Sequence, residues 1–163
     1  MKENDVKLVF FDMDGTLSVP IYKDAEGNDV LGFSQEEWER YCVLNGEDTY
    51  QYCKPVEPVR QYAKRRKAEG AKLFVLTTSS MSFENDAKRK FANRYYPDLF
   101  EDIIAVGKDA MKSVVMRHMA EKFQTSLCNC ELVEDTYATL LDVVSQGMKG
   151  THITHIISSD EIE

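Results

Sequence analysis

Lys7-Leu8-Val9-Phe10-Phe11-Asp12-Met13-Asp14-Gly15-Thr16 is the stretch on which the fold turns. The run 7–11 is rich in apolar side chains and has the continuity of a strand buried on both faces, as in a parallel sheet. Open α/β sheets bind ligands just beyond the C-terminal ends of their strands. At that position Asp12 and Asp14 stand two residues apart. Gly15 permits a sharp turn there, and Thr16 sets a hydroxyl beside the acids. Asp-Gly is also ordinary turn chemistry. A strand ending in Asp-x-Asp-Gly-Thr, however, presents one carboxylate as a nucleophile and a second as an acid/base.

Outward from this stretch the chain alternates. After an irregular segment to Pro58, residues 59–69 read as a helix ending at Gly70 and 72–76 as a second buried strand, followed by Thr77-Thr78-Ser79-Ser80. The pattern predicts a helix over 83–96 that stops before Pro97, a strand over 103–106, and a helix over 110–123 with Val114, Val115, Met119 and Phe123 as its buried stripe. A strand over 131–133, a helix over 138–146 closed by Gly147 and a fifth strand over 152–157 complete the series. Strand–helix alternation implies right-handed crossovers and a parallel sheet covered by helices on both faces.

The segment 18–57 has no such rhythm. Residues 21–23 and 30–32 flank the Gly-containing run 24–29, a hairpin pattern. Ser34 with Glu37 three residues later is a capping box opening a helix over 35–44. The stretch 46–58 reads as irregular. Trp38, Tyr41, Tyr50 and Tyr52 either line a substrate cleft or pack this insert onto the core.

Composition narrows the function classes. The 163 residues, 43% hydrophobic and 29% charged, fit one globular domain. No apolar run approaches the roughly 20 residues that span a bilayer, and the polar start Met1-Lys2-Glu3-Asn4-Asp5 lacks a signal-peptide core. A cytoplasmic protein with no membrane partner is expected. A net charge of −8 argues against general nucleic-acid binding and requires that any anion be captured locally. Cys42, Cys53, Cys128 and Cys130 lack zinc-ligand spacing and read as reduced thiols. His118, His152 and His155 show no ligand spacing either. Lys64-Arg65-Arg66-Lys67 reads as a solvated helix face, and oligomeric state leaves no signature.

Four strand ends on one sheet edge carry polar chemistry: Asp12 and Asp14, then Thr77, then Lys108 or Lys112, then Glu134 and Asp135. In order and spacing these resemble the four motifs of the haloacid dehalogenase (HAD) superfamily, and the resemblance spans the chain except for the insert. It implies a three-layer α/β/α Rossmann-like fold with a central parallel sheet of about five strands, in one core domain over 1–163 with a small cap insert at 18–57. It further implies a Mg²⁺-dependent phosphatase that hydrolyses a phosphate monoester through an aspartyl-phosphate on Asp12, with Asp14 as acid/base. Thr77 takes the motif position that hydrogen-bonds a phosphoryl oxygen, with Thr78 the one-residue register alternative. N–H groups near Gly15 and Thr16 and in Thr78-Ser79 would add donors. Lys112, at the start of its helix, is favoured over Lys108 as the lysine that neutralises Asp12 and the phosphoryl group. Asp12, the Asp14 backbone carbonyl, Glu134 and Asp135 would hold the ion, since Mg²⁺ prefers oxygen ligands.

Four residues after Asp135, where many members carry an acid, this chain has Thr139. Glu134-Asp135 with Gly147 instead looks like the Glu-Asp variant of the β-phosphoglucomutase-like branch. Two alternatives follow: a catalytically weak phosphate-binding or regulatory protein on the same fold, motivated by Thr139, and a phosphomutase. The second would need a fuller cap than about forty residues allow. A short insert leaves the site open, which suits phosphate on a larger substrate or completion by a partner subunit. A receiver domain would be shorter and would lack the insert.

Overall fold

The computed structural model describes residues 5–79 and 81–162, with side chains described through 159. Most of the polar N-terminal run and Ser80 of the Thr77–Ser80 turn lie outside these residues. The chain opens with β1 (Leu8–Phe11), followed by β2 (Ser18–Val19), β3 (Tyr22–Lys23), β4 (Asp29–Val30), α1 (Gln35–Asn45) and β5 (Lys54–Pro55). Then come α2 (Glu57–Ala68), β6 (Lys72–Thr78), α3 (Ser82–Tyr95), β7 (Phe100–Val106) and α4 (Lys112–Lys122). β8 (Cys130–Glu134), α5 (Tyr137–Ser145), β9 (Lys149–His152) and α6 (Ile153–Ile162) complete the chain.

Five parallel strands form one sheet in the order β7-β6-β1-β8-β9. β1 is central and wholly buried, and its side chains alternate between two cores. Val9 and Phe11 join the core under α2, α3 and α6, with Ala63, Phe91 and Ile156. Leu8 and Phe10 join the core under α4 and α5, with Met116, Ala120, Leu140 and Val143. Full burial of each such side chain stabilises the fold by about 1.5–3 kcal/mol, which explains why this strand has no polar face. The result is the expected three-layer α/β/α Rossmann-like architecture.

Two expectations about helices and strands need correction. The fifth strand is Lys149–His152, not 152–157, and the residues after it form α6. Ile153, Ile156 and Ile157 recur at helical spacing, and Ile156 is buried against α2 and its core. β9 pairs only with β8, so this edge strand carries no apolar signal. The buried face of α4 is Lys112, Ser113, Met116 and Ala120. Val115, Met119 and Phe123 are only partly buried, and Val114 is half exposed. The helix is turned so that Lys112 points under the sheet edge, and Ala120 lets it approach closely.

Between β1 and α2, β2 pairs antiparallel with β5, and β3 with β4 as a hairpin. α1 starts at Ser34 with both capping-box hydrogen bonds formed. Trp38, Tyr41 and Tyr50 pack with Tyr22 and Phe33 as an aromatic cluster against the α3 side of the core. Within the basic run, Arg66 is not a solvated cation: it and Tyr62 reach the buried Glu131, which also accepts from Thr151. All four cysteines are unpaired thiols. Among the described residues, no helix is long and apolar enough to cross a membrane.

Candidate active site

From β1 the chain runs outward to β6 and β7 on one side, then returns to β8 and β9 on the other. The C-terminal ends of β1 and β8 therefore border the crevice where ligands bind in such sheets. Register sets the rest. Phe11 is level with Val133, and the Asp12 N–H donates to the Val133 carbonyl at 3.0 Å, so Asp12 stands beside Glu134.

Carboxylate oxygens of Asp12, Glu134 and Asp135 lie within 4.8 Å of one another. Lys112 Nζ is 2.8 Å from Asp12 Oδ1 and 3.3 Å from Glu134 Oε1. One cation thus contacts two of the three clustered acids. Burial, reinforced by the Asp12 charge, pushes the Glu134 carboxyl up to about 9, and the same causes raise Asp135. Burial lowers the Lys112 ammonium, but Asp12 and Glu134 together outweigh it and hold the group above its usual value. Glu134 Oε2 is buried with no hydrogen-bond partner. A crowded all-oxygen set with one orphaned buried oxygen fits a hard divalent cation such as Mg²⁺. Thr139, four residues beyond Asp135, lines the same cleft.

Gly15 makes this geometry possible. Its φ is +79°, and a Cβ built there would sit 2.3 Å from Asp135 Oδ2. Gly15→Ala is therefore expected to displace Asp135 and to cost about 1–2 kcal/mol in backbone strain. The check is a Mg²⁺ titration followed by thermal unfolding; an unchanged Mg²⁺ midpoint would refute this role for Gly15. The Gly15 N–H itself is engaged by the Ser18 carbonyl, and the Ser79 N–H by Val106. Of the N–H groups expected to face a phosphoryl oxygen, those of Gly15 and Ser79 are thus already bonded, as is that of Thr16, to the Met13 carbonyl. Thr16 is buried, with its hydroxyl 3.5 Å from Asp12 Oδ2.

Asp14 lies across the cleft in a different setting. Tyr50 donates to its Oδ1 at 2.7 Å, Tyr22 at 3.5 Å, and Lys88 Nζ is 3.5 Å from Oδ2. The carboxylate remains 44% exposed on its open side. Desolvation by its surroundings holds its carboxyl above the usual range, against the pull of Lys88 and Tyr50. Thr77 is buried, and its hydroxyl accepts from Lys88 at 2.7 Å. Thr78, the register alternative, is exposed and lines the cleft. So does Lys108, which sits exposed on the rim, whereas Lys112 reaches the acids. The cleft holds about 540 Å³ and is open to solvent. His152 binds the Asp135 carbonyl through Nε2 at 2.9 Å and stacks on Tyr137.

Sequence reasoning missed Lys88, Glu84 and the link from Tyr50 to Asp14. The Glu84–Lys88 spacing is visible, but it is equally that of a surface helix pair.

The sheet order and the helices on both faces give an α/β/α Rossmann-like fold. Solved structures share it. A HAD-superfamily hydrolase of subfamily IA from Geobacter sulfurreducens superposes with a TM-score of 0.58 at 14% identity, over 90% of this chain and 86% of its own. A haloacid dehalogenase-like family hydrolase from Streptococcus pneumoniae gives 0.61 at 16%, covering 90% and 83%. A protein from Haemophilus somnus described as a predicted phosphoglycolate phosphatase gives 0.61 at 16%, covering 90% and 84%. No protein-family model matches the chain, and no curated protein matches it.

Proposed function

We propose that this protein is a Mg²⁺-dependent phosphatase that hydrolyses phosphate monoesters through an aspartyl-phosphate on Asp12. The observation that carries this reading is the meeting of Asp12, Glu134 and Asp135 within 4.8 Å, with Lys112 against Asp12. Asp12 attacks phosphorus from the rim of the sheet, and Lys112 neutralises charge on it and on the incoming phosphoryl group. Asp14, exposed on one side and raised above the ordinary carboxylate range, protonates the leaving oxygen and then takes a proton from attacking water. Thr78 and Lys108 line the cleft where a phosphoryl group and its ester substituent would lie, and Thr77 sits one residue behind. Asp12, Glu134 and Asp135, with the Asp14 carbonyl, are the groups that would hold Mg²⁺. The bound ion supplies positive charge that offsets repulsion between anionic nucleophile and anionic substrate.

The segment 18–57 serves as a small cap. It leaves the cleft open, which favours phosphate on a larger or protruding substrate over an enclosed small metabolite, and it disfavours a phosphomutase. Buried unpaired thiols fit a reducing compartment such as the cytoplasm. Thr139 on the cleft wall favours a second reading, a phosphate-binding regulator with little turnover.

The test is phosphate release from a broad panel of phosphate monoesters with Mg²⁺ and with EDTA, read alongside thermal unfolding. The expected result is turnover only with Mg²⁺, and a rise of several degrees in Tm on adding the ion. Ligand-induced stabilisation without turnover across the panel supports the regulator. Neither stabilisation nor turnover refutes both readings.

A further inference from the structure

Lys88 is wholly buried at the edge of the reaction centre. Its Nζ lies 2.7 Å from Thr77 Oγ1, 2.7 Å from the Thr78 carbonyl, 3.2 Å from Ser79 Oγ and 2.8 Å from Glu84 Oε2. At 3.5 Å it also faces Asp14 Oδ2. Glu84, its partner one turn earlier on α3, accepts from the indole N–H of Trp38 at 2.7 Å through its other oxygen. Tyr50 holds the opposite oxygen of Asp14. A continuous buried polar network therefore runs from α1 through α3 to the end of β6 and to Asp14, and Tyr50 closes it from the insert.

Burying an ammonium is unfavourable until its partners offset the lost hydration, and apolar replacements of such groups are often neutral or stabilising. General packing therefore gives little reason for a lysine here. Its contacts are also specific: it gathers the end of β6, where Thr78 lines the cleft, and grips one oxygen of Asp14 while Tyr50 grips the other.

We propose that Lys88, together with Tyr50, is a positioning residue that aims the Asp14 carboxyl at the leaving oxygen, so that the insert is tied to the protonation step. The inference rests on the phosphatase reading. In that step the Asp12 carboxylate forms a bond to phosphorus while the bond from phosphorus to the ester oxygen breaks. The Asp14 proton passes to that oxygen, which leaves as the alcohol. An alkoxide leaving group needs the proton, whereas a dinitrophenolate departs without it.

Leaving groups therefore test the proposal. kcat/KM, which reports the phosphorylation step, is measured at saturating Mg²⁺ for ethyl phosphate and for 2,4-dinitrophenyl phosphate, with the wild type and with Lys88→Met. The expected loss is roughly 100-fold for ethyl phosphate and less than about fivefold for the dinitrophenyl ester, since a general acid contributes about 10²–10⁴-fold. Lys88→Met removes the ammonium beside the buried Glu84 carboxylate. The double variant Lys88→Met/Glu84→Gln, which removes that buried charge, replaces it if the single variant does not fold. Tyr50→Phe keeps the ring in the core and is expected to show the same selective loss. Equal losses on both esters, or none, overturn the role of Lys88 while leaving the phosphatase reading intact. A wild type inactive on both esters overturns that reading and this inference with it.

Discussion

Asp12→Asn is expected to abolish phosphate release, by at least about 10⁴-fold, without harming the metal-free fold. The loss follows from chemistry: an amide oxygen neither attacks phosphorus effectively nor offers the charge that Lys112 pairs with. Preservation of the fold follows from the charge balance. Two of the three clustered carboxylates share one ammonium, so removing Asp12 orphans nothing, because Lys112 keeps Glu134 at 3.3 Å. Glu134 is raised to about 9, first by burial and then by the Asp12 charge. A carboxyl raised on folding keeps a proton that the unfolded chain releases. Its stabilising contribution is full below the unfolded value near 4.5 and is lost as pH climbs through about 9. Taking away the Asp12 charge weakens that rise, so the metal-free variant should lose less stability than wild type between pH 5 and pH 8. The stabilisation by Mg²⁺, by contrast, should shrink, since one of the converging oxygens is gone. Thermal unfolding across that range, with and without Mg²⁺, checks both halves. A variant that retains turnover sinks the nucleophile assignment.

What the sequence made legible, and what it hid, follows from where each signal is encoded. β1 announces itself because a strand buried on both faces must be apolar throughout, and the acids after it then sit on the ligand-binding edge. Asp12, Glu134 and Asp135 meet because β1 and β8 are adjacent parallel strands in register; alternation implies the parallel sheet but not that adjacency. Lys112 was legible as the residue opening α4, although the buried stripe of that helix was misplaced. Counting apolar side chains favours Val115, Met119 and Phe123, whereas the inward face is set by the need of Lys112 to reach Asp12. The end of the chain misled for another reason. Ile153, Ile156 and Ile157 form a short apolar run that suits a strand or a buried helix equally, and the true strand β9 is polar because it lies at the edge. Lys88 and Tyr50 were invisible because burial of a charge, and a contact between residues 36 positions apart, are tertiary facts. The aromatic cluster packs the insert onto the core, yet through Tyr50 it also touches Asp14. Packing and chemistry are not separable in that segment.

Lys112→Met should destabilise the metal-free protein by about 3 kcal/mol at pH 8, the order expected when one partner of a buried ion pair is removed. Lys112 is 7% exposed, Glu134 4% and Asp12 13% at the side chain, so water screens this cluster little. Without the ammonium the acids face each other uncompensated, and the remaining route to relief is protonation. The deficit should therefore shrink toward pH 5.5 as Asp135, raised by burial and by the Asp12 charge, takes up a proton; Glu134, raised to about 9, already holds most of its own at pH 8. A divalent cation offers a second route, so Mg²⁺ should raise Tm more in the variant than in the wild type. Turnover should nevertheless fall by about 10²–10³-fold, because the ion that restores stability does not replace a donor aimed at Asp12. Urea unfolding at the two pH values, with and without Mg²⁺, separates these effects. A deficit equal at both pH values and insensitive to Mg²⁺ would mean that Lys112 contributes packing alone, and that the acids at the ends of β1 and β8 do not depend on a shared cation.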